Sequence, residues 1–248
     1  MRKGNTANAR ECALSVLVAC RRNGAWADAA LKAQLGKCAL SAQDAALCSR
    51  IVYGVMQNEL LLNWYLSAYC TQKLDHLQPP LSDILRIGAY QILFLDKVPD
   101  HAAVSESVEL CRTNGRSAAS GLVNAVLRKA CNYDLSTASF KNEAERLMVL
   151  GSAGRDVAEF LHKNYPDEAL GILTYQADGG LTSLRANPLK ASAAQLCALL
   201  TEQGAAEVRQ GIVPGSVLAK FEGSPAEHPL FKEGCFHVEE LCGIPVVG

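Results

Sequence analysis

The apolar residues in the first half of the chain recur at helical spacing. Intervals of three and four positions place such residues on one face of a helix. One stripe of this kind, within residues 5–22, consists of Ala13, Val16, Leu17 and Cys20. The spacing returns repeatedly up to residue 132, and no segment of this half alternates as a half-buried strand would. The pattern predicts a bundle of about seven helices.

Turn and capping residues place several helix ends. Ser41 is a typical N-cap, and Gln57-Asn58 interrupts the periodicity that follows it. Pro99-Asp100 begins a later helix, and Asn114-Gly115 forms a turn after it. Gly88 lies on an otherwise apolar helix face, where a missing side chain lets a neighbouring helix come close.

Beyond residue 132 the pattern changes. Residues 132–141 are polar and lose the periodicity, so we place a domain boundary there. The predicted helices that follow cover residues 143–150, 155–164, 166–176 and 191–203. The predicted strands cover residues 181–186, 207–210 and 216–221. The sequence therefore predicts a mainly α protein, with an all-α bundle in residues 1–135 and a small α+β subdomain in residues 142–240.

The composition is that of a globular chain with an uneven charge distribution. Of its 248 residues, 49% are hydrophobic and 20% are charged, which is enough apolar material for a buried core. Residues 1–132 carry 15 basic against 10 acidic side chains, and residues 133–248 carry 9 against 15. The basic half is the one suited to a polyanion, although an excess of this size also arises by ordinary scatter.

Cysteine spacing and apolar runs indicate a compartment but no site. The ten cysteines form no C-x-x-C pair, and several fall on apolar helix faces, where a reduced cysteine behaves as a small hydrophobe. The N-terminus does not resemble a secretory signal, and no apolar run is long enough to cross a membrane. We therefore expect a cytoplasmic protein without a membrane partner.

No common catalytic or cofactor-binding motif occurs in the sequence. Neither a dinucleotide-binding glycine motif, nor a phosphate-binding loop, nor a zinc-protease helix is found. The five histidines are scattered, and His101, which follows a helix start, reads as structural. We expect no catalytic residue and no metal site in this chain.

Basic residues on predicted helix surfaces are the remaining functional candidates. Each could neutralise a phosphate and release counterions, the main sequence-independent contribution to nucleic-acid binding. Singly, some have structural explanations: Arg21-Arg22 complements a helix C-terminus, and Arg86, inside an apolar run, suits an internal ion pair. As a set they indicate RNA binding. The candidates are Arg2, Lys3, Arg10, Arg21, Arg22, Arg112, Arg116, Arg128 and Lys129.

Three ordered stretches resemble a known family. They are residues 85–94 (LRIGAYQILF), 98–110 (VPDHAAVSESVEL) and 123–128 (VNAVLR). In order and spacing they resemble the NusB-like RNA-binding domain, over about residues 5–132. The resemblance implies an all-α RNA-binding bundle, in which Tyr90 and Asn124 are core and hydrogen-bonding positions.

Two branches of that family differ in the last stretch. The stand-alone antitermination factor typically has a glycine and an acidic residue where this chain has Ala125 and Arg128. The chain is more similar to the domain fused to the small-subunit rRNA cytosine-C5 methyltransferase (RsmB/Sun type). Residues 184–190 resemble the Arg-x-Asn-x-x-Lys stretch of that enzyme's linking subdomain, which adds Arg185 to the RNA-binding candidates. Residues 231–238 resemble the segment that leads into its catalytic domain.

The resemblance implies an S-adenosylmethionine-dependent enzyme whose methyltransferase domain is missing from this chain. The family's catalytic cysteine lies in a Pro-Cys dipeptide, and no proline here precedes a cysteine. We therefore expect residues 241–248 to be a tail that is cut short before that domain, and the chain to have no cofactor of its own and to be inactive alone. Its expected partners are small-subunit ribosomal RNA and the missing methyltransferase domain, and no DNA. Two alternatives stay open: a NusB-type transcription antitermination factor, and an inactive truncated product.

Overall fold

The computed structural model describes residues 8–70, 72–77, 80–175, 181–221 and 224–239. Contacts divide the chain into two compact units, residues 1–174 and residues 175–248. Within the described residues the first unit contains α-helices and no strand, and the second contains a small sheet. The predicted fold class is therefore confirmed.

The described part of the first unit contains ten α-helices, of which the first seven form the predicted bundle. They are α1 Ala9–Asn23, α2 Ala27–Lys37, α3 Ala42–Gln57, α4 Glu59–Ser67, α5 Leu81–Phe94, α6 Asp100–Thr113, α7 Ser120–Ala130, α8 Glu143–Leu150, α9 Arg155–Asn164 and α10 Ala169–Thr174.

Local capping accounts for several of these ends. Asn8 and Glu11 form a capping box at the start of α1. Ser41 caps α3 through its side chain, and Asn58 separates α3 from α4, both as predicted. Gly115, at φ +72, allows the tight turn between α6 and α7. Local sequence signals therefore mark these helix ends.

Helix α5 lies at the centre of the bundle. Every residue from 81 to 91 is buried, and the helix packs against α1, α3, α4, α6 and α7. A Cβ atom at Gly88 would lie 2.4 Å from Leu127 Cδ1, and one at Gly54 would lie 2.0 Å from Tyr90 Cζ. The prediction that Gly88 admits a neighbouring helix is confirmed.

The chain leaves the bundle in contact with α4. The Trp64 and Phe140 rings lie 5.1 Å apart between centroids. Helix α8 then packs against α4, and Ser152 Oγ accepts a hydrogen bond from the Leu61 backbone N–H at 3.2 Å. These contacts group α8–α10 with the bundle, whereas the loss of helical periodicity predicts a domain boundary at residues 132–141.

The second unit is a small α+β fold. Its elements are β1 Leu181–Ala186, α11 Ala193–Glu202, β2 Ala206–Gln210, β3 Ser216–Lys220, α12 Pro229–Lys232 and β4 Phe236–Val238. The strands form an antiparallel sheet in the order β2-β3-β1-β4, and the order of elements along the chain is that of a split β-α-β fold. Strand β4 and helix α12 were not predicted, because segments of three and four residues are too short to show a period.

The core of the second unit lies between the sheet and α11. Leu184, Val217 and Phe236 come from three strands and pack with Leu196 and Leu200 of the helix. Alternation of side chains along each strand directs these residues to one face of the sheet. Among the described residues of both units, no helix combines the length and apolarity that a membrane crossing requires.

Candidate nucleic-acid interface

The described basic candidates of the first unit do not form one patch. Arg2 and Lys3 lie outside the described residues. The other eight lie on α1, at the two ends of the α6–α7 pair, and on β1. Their surroundings differ from one element to the next.

Arg21 belongs to a buried ion-pair network. Its Nε lies 2.5 Å from Asp83 Oδ1 and its Nη1 lies 2.8 Å from Glu59 Oε1. Arg86 Nη1 lies 3.1 Å from the same Oδ1, and its Nε donates to Asn63 Oδ1. Burial alone would lower the pKa of Arg21, but its contacts with Glu59 and Asp83 raise that pKa above the ordinary value. The predicted internal pairing of Arg86 is confirmed, and Arg21 takes part in the same network.

Arg10 is also engaged inside the bundle. Its Nε donates to Gln91 Oε1 at 2.7 Å, its Nη1 lies 3.8 Å from Glu106 Oε2, and its side chain is 16% exposed. Gln91 is fully buried and donates in turn to the Ile87 carbonyl. Arg10 therefore links α1 to α5 and α6. Arg22 lies in the last turn of α1 and is exposed.

Helices α6 and α7 form an antiparallel hairpin with basic residues at both ends. Arg112 lies in the last turn of α6 and Arg116 in the connection, while Arg128 and Lys129 lie in the last turn of α7. The length of α7 separates the two ends by about 17 Å. Arg112 Nη1 lies 3.4 Å from Glu109 Oε2, which partly neutralises its charge.

Each end of the hairpin borders an open groove. At the connection, His76 and Arg116 contribute to a groove of about 440 Å³. At the other end, the first turns of α6 and the last turns of α7 border a groove of about 420 Å³. We call this second one the α6–α7 groove. It is lined by Asp100, His101, Val104, Ser105, Asn124, Arg128, Cys131 and Asn132.

The α6–α7 groove combines cations with neutral polar groups. Arg128 lines it and Lys129 is the next residue; both are exposed, and neither forms an ion pair among the described residues. Asn124 is half-buried, and its amide has no hydrogen-bond partner in the described part of the chain. Asp100 is the one carboxylate among the lining residues. The groove thus offers free donors and acceptors beside positive charge.

Arg185, in the second unit, lies beside the Glu239 carboxylate, which His237 also contacts. Its Nε lies 3.9 Å from Glu239 Oε2, and its side chain is 37% exposed. Asn187 Nδ2 donates to the Gly234 carbonyl at 2.9 Å, and Lys190 donates to a carbonyl in the same loop. The Arg-x-Asn-x-x-Lys stretch therefore joins two loops of this unit.

The sequence predicts a structural role for His101 and a core and hydrogen-bonding role for Asn124. The structure places both on the wall of the α6–α7 groove, beside Arg128. Two stretches of the sequence, 98–110 and 123–128, form the walls of this groove. An antiparallel hairpin of α6 and α7 brings the start of the first stretch next to the end of the second. Neither stretch alone shows that neighbourhood.

The described residues do not fit S-adenosylmethionine. Nucleotide-type cofactors are commonly held by a glycine-rich turn between a parallel strand and a helix. Every described strand pairing here is antiparallel. Two connections lead from a strand into a helix. Residues 187–192 contain no glycine, and residues 221–228 contain one. No group of three or more metal-type ligands occurs among the described residues either.

Comparison with known proteins assigns the bundle. The NusB family matches residues 7–132, so the chain belongs to the NusB family. The match covers α1–α7 and includes the hairpin that borders the α6–α7 groove.

Curated relatives extend the similarity into the second unit. The chain is 26% identical over 236 residues to the "Probable ribosomal RNA small subunit methyltransferase B" of Bacillus subtilis (strain 168), which covers 93% of this chain and 52% of that protein. It is 25% identical over 210 residues to ribosomal RNA small subunit methyltransferase B of Escherichia coli (strain SMS-3-5), covering 81% and 46%. The chain spans about half the length of the curated relatives it matches.

A solved structure supports the fold. The crystal structure of PH0851 matches with a TM-score of 0.64 at 20% identity, over 93% of this chain and 53% of that one. At this identity the likeness concerns the fold alone.

Proposed function

We propose that the chain binds small-subunit ribosomal RNA through the α6–α7 groove and its flanking cations, as part of an RNA cytosine-C5 methylation system in the cytoplasm. Membership of the NusB family supports RNA binding by the bundle. Similarity to small-subunit rRNA methyltransferases over 93% of the chain supports the substrate, and favours this function over a stand-alone antitermination factor.

The observation that carries the proposal is the pair Arg128 and Lys129 beside the groove. Neither side chain forms an ion pair among the described residues, so binding a phosphate breaks no internal contact. Each phosphate neutralised releases counterions, which favours binding at low salt. The amide of Asn124 and the hydroxyl of Ser105 can reach base edges or ribose 2′-hydroxyls, which distinguish RNA from DNA.

The methyl transfer itself lies, in this proposal, with the half of the relatives that this chain does not match. There S-adenosylmethionine would supply the methyl group. The role of this chain would be to hold the RNA in position, since orientation of a bound substrate contributes to the rate of the chemical step.

The test is RNA binding by a double variant, Arg128→Glu with Lys129→Glu. Affinity for a labelled small-subunit rRNA fragment is measured across a salt series by fluorescence anisotropy. Loss of two phosphate contacts should weaken binding and reduce the slope of log affinity against log salt by about two. A DNA fragment of the same sequence should compete poorly.

The matched control is Arg155→Glu with Lys163→Glu. Both residues are exposed on α9, and the pair changes the net charge by the same amount. We expect this variant to bind as the unaltered chain does. Equal losses in both variants would show that total charge rather than the groove decides, and no RNA binding by the unaltered chain would end the proposal.

A further inference from the structure

Three thiols meet where α1, α3 and the end of α2 come together. Cys12 on α1 and Cys48 on α3 are fully buried, and Cys38, immediately after α2, is half-buried. Cys12 Sγ lies 2.8 Å from Cys38 Sγ, and both cysteines are free thiols in the structure. That separation exceeds the length of a disulfide bond by only about 0.8 Å. The two cysteines are 26 positions apart in sequence, so rules based on short cysteine spacings do not detect this pair.

The two thiols of the pair differ in access. Burial, followed by the nearness of Cys38, raises the pKa of Cys12 to about 12, and burial raises the pKa of Cys48 to about 11. Thiols with such values stay protonated at neutral pH and react slowly with dissolved oxidants, because the thiolate is the nucleophile. Cys38 is the member that reaches solvent. A small oxidant would therefore meet Cys38 first.

We propose that Cys12 and Cys38 are a site of reversible oxidation, which a peroxide converts to a disulfide. The Cys38 sulfur attacks the peroxide O–O bond, forming a sulfenic acid and releasing water. The Cys12 sulfur then attacks the Cys38 sulfur, and the sulfenic hydroxyl leaves as water with the Cys12 proton. The two thiols lose two electrons and two protons in total, which reduce one hydrogen peroxide to two waters. A thiol reductant reverses the reaction by exchange.

The bond would act on the least anchored helix of the bundle. Helix α2 contributes one buried residue, Leu31, fewer than any other of the seven helices, and its N-terminus lacks a side-chain cap. Segments with few buried contacts open most readily. Joining Cys38 to Cys12 ties the end of α2 to α1 and restricts the unfolded chain. Oxidation should therefore suppress opening of α2 and raise the melting temperature.

The experiment treats the full chain with hydrogen peroxide, blocks remaining thiols with N-ethylmaleimide, and maps peptides without reductant by mass spectrometry. We expect a peptide containing Cys12 joined to one containing Cys38, which dithiothreitol separates. Hydrogen exchange of the α2 amides should become slower on oxidation and recover on reduction.

Two variants complete the test. Cys38→Ser, at a half-buried position, should abolish both the linked peptide and the change in exchange. Cys131→Ser, at another half-buried cysteine of the bundle, should leave both unchanged. A bond between Cys38 and Cys48, or Cys38 oxidised without any bond, would overturn the proposal. None of these readouts depends on RNA, so failure here leaves the proposed function to its own test.

Discussion

At the scale of single residues, Asp83 is the buried carboxylate that two arginines of the bundle share. Its side chain is fully buried, and its Oδ1 faces both Arg21 and Arg86. Its Oδ2 has no hydrogen-bond partner among the described residues. A buried guanidinium such as that of Arg86 is tolerated only when a carboxylate offsets its lost hydration. Asp83 is the fully buried carboxylate of the network, and the partly exposed Glu59 is the second one, 2.8 Å from Arg21 and 3.7 Å from Arg86.

Replacing Asp83 by Ala should destabilise the protein by about 3–5 kcal/mol, because it leaves buried positive charge without its main partner. Urea denaturation followed by circular dichroism measures this change. The control is Glu159→Ala, which breaks the exposed pair between Glu159 and Arg155 and should cost less than about 1 kcal/mol. Similar losses for the two variants would contradict a structural role for the network.

Part of this network could be predicted from sequence and part could not. Arg86 inside an apolar run indicated an internal ion pair, and Asp83 is close by on the same helix. Arg21 lies 62 positions from Asp83 in sequence, and the sequence predicts it as an RNA-binding surface cation, because only the packing of α1 against α5 brings the two residues together.

At the scale of elements, the helices of the bundle were predictable because local signals and packing agree. Ser41, Asn58 and Gly115 mark ends that the structure confirms. The close packing of α5 was indicated by Gly88 on an apolar face. The groove was not predictable, because its two walls come from separate stretches that touch only once the hairpin has formed.

Gly88→Ala should destabilise the protein by about 1–3 kcal/mol, because the added methyl group would lie 2.4 Å from Leu127 Cδ1 and 2.8 Å from Ser107 Oγ. Thermal denaturation measures the change. Gly36→Ala is the matched control: nothing lies within 4 Å of its Cβ position. Alanine favours a helix there, so this variant should be stabilised by up to about 1 kcal/mol. A neutral Gly88→Ala would show that α5 and α7 do not need this approach.

At the scale of the whole molecule, the extent of the first unit follows from the surface of α4. The Trp64 ring contacts the Phe140 ring, and α8 packs against α4. The polar composition of residues 132–141 gave no sign of these contacts, which are made by Tyr133 and Phe140 within that stretch and by α8 beyond it. The family match ends at residue 132, whereas the compact unit continues to residue 174.

A chain ending at residue 135 should therefore be less stable than one ending at residue 174. The shorter chain loses Phe140 and α8, and leaves Trp64 more exposed. Urea titration with tryptophan fluorescence should show a lower midpoint and a red-shifted native spectrum for it. The Phe140→Ala variant of the longer chain should have a urea midpoint between those of the two chains. Equal midpoints would mean that the bundle is complete without α8.

The length of the hairpin that carries the basic residues fixes the distance between its two basic ends. Its two charged ends stand about 17 Å apart, and a nucleic-acid strand advances by about 3.4 Å for each nucleotide. A strand laid along the hairpin would need roughly five nucleotides to bridge both ends. In the proposed function, a shorter strand would contact one end of the hairpin and lose the contribution of the other, so the bundle would prefer RNAs with an accessible strand of at least that length, whatever their base sequence.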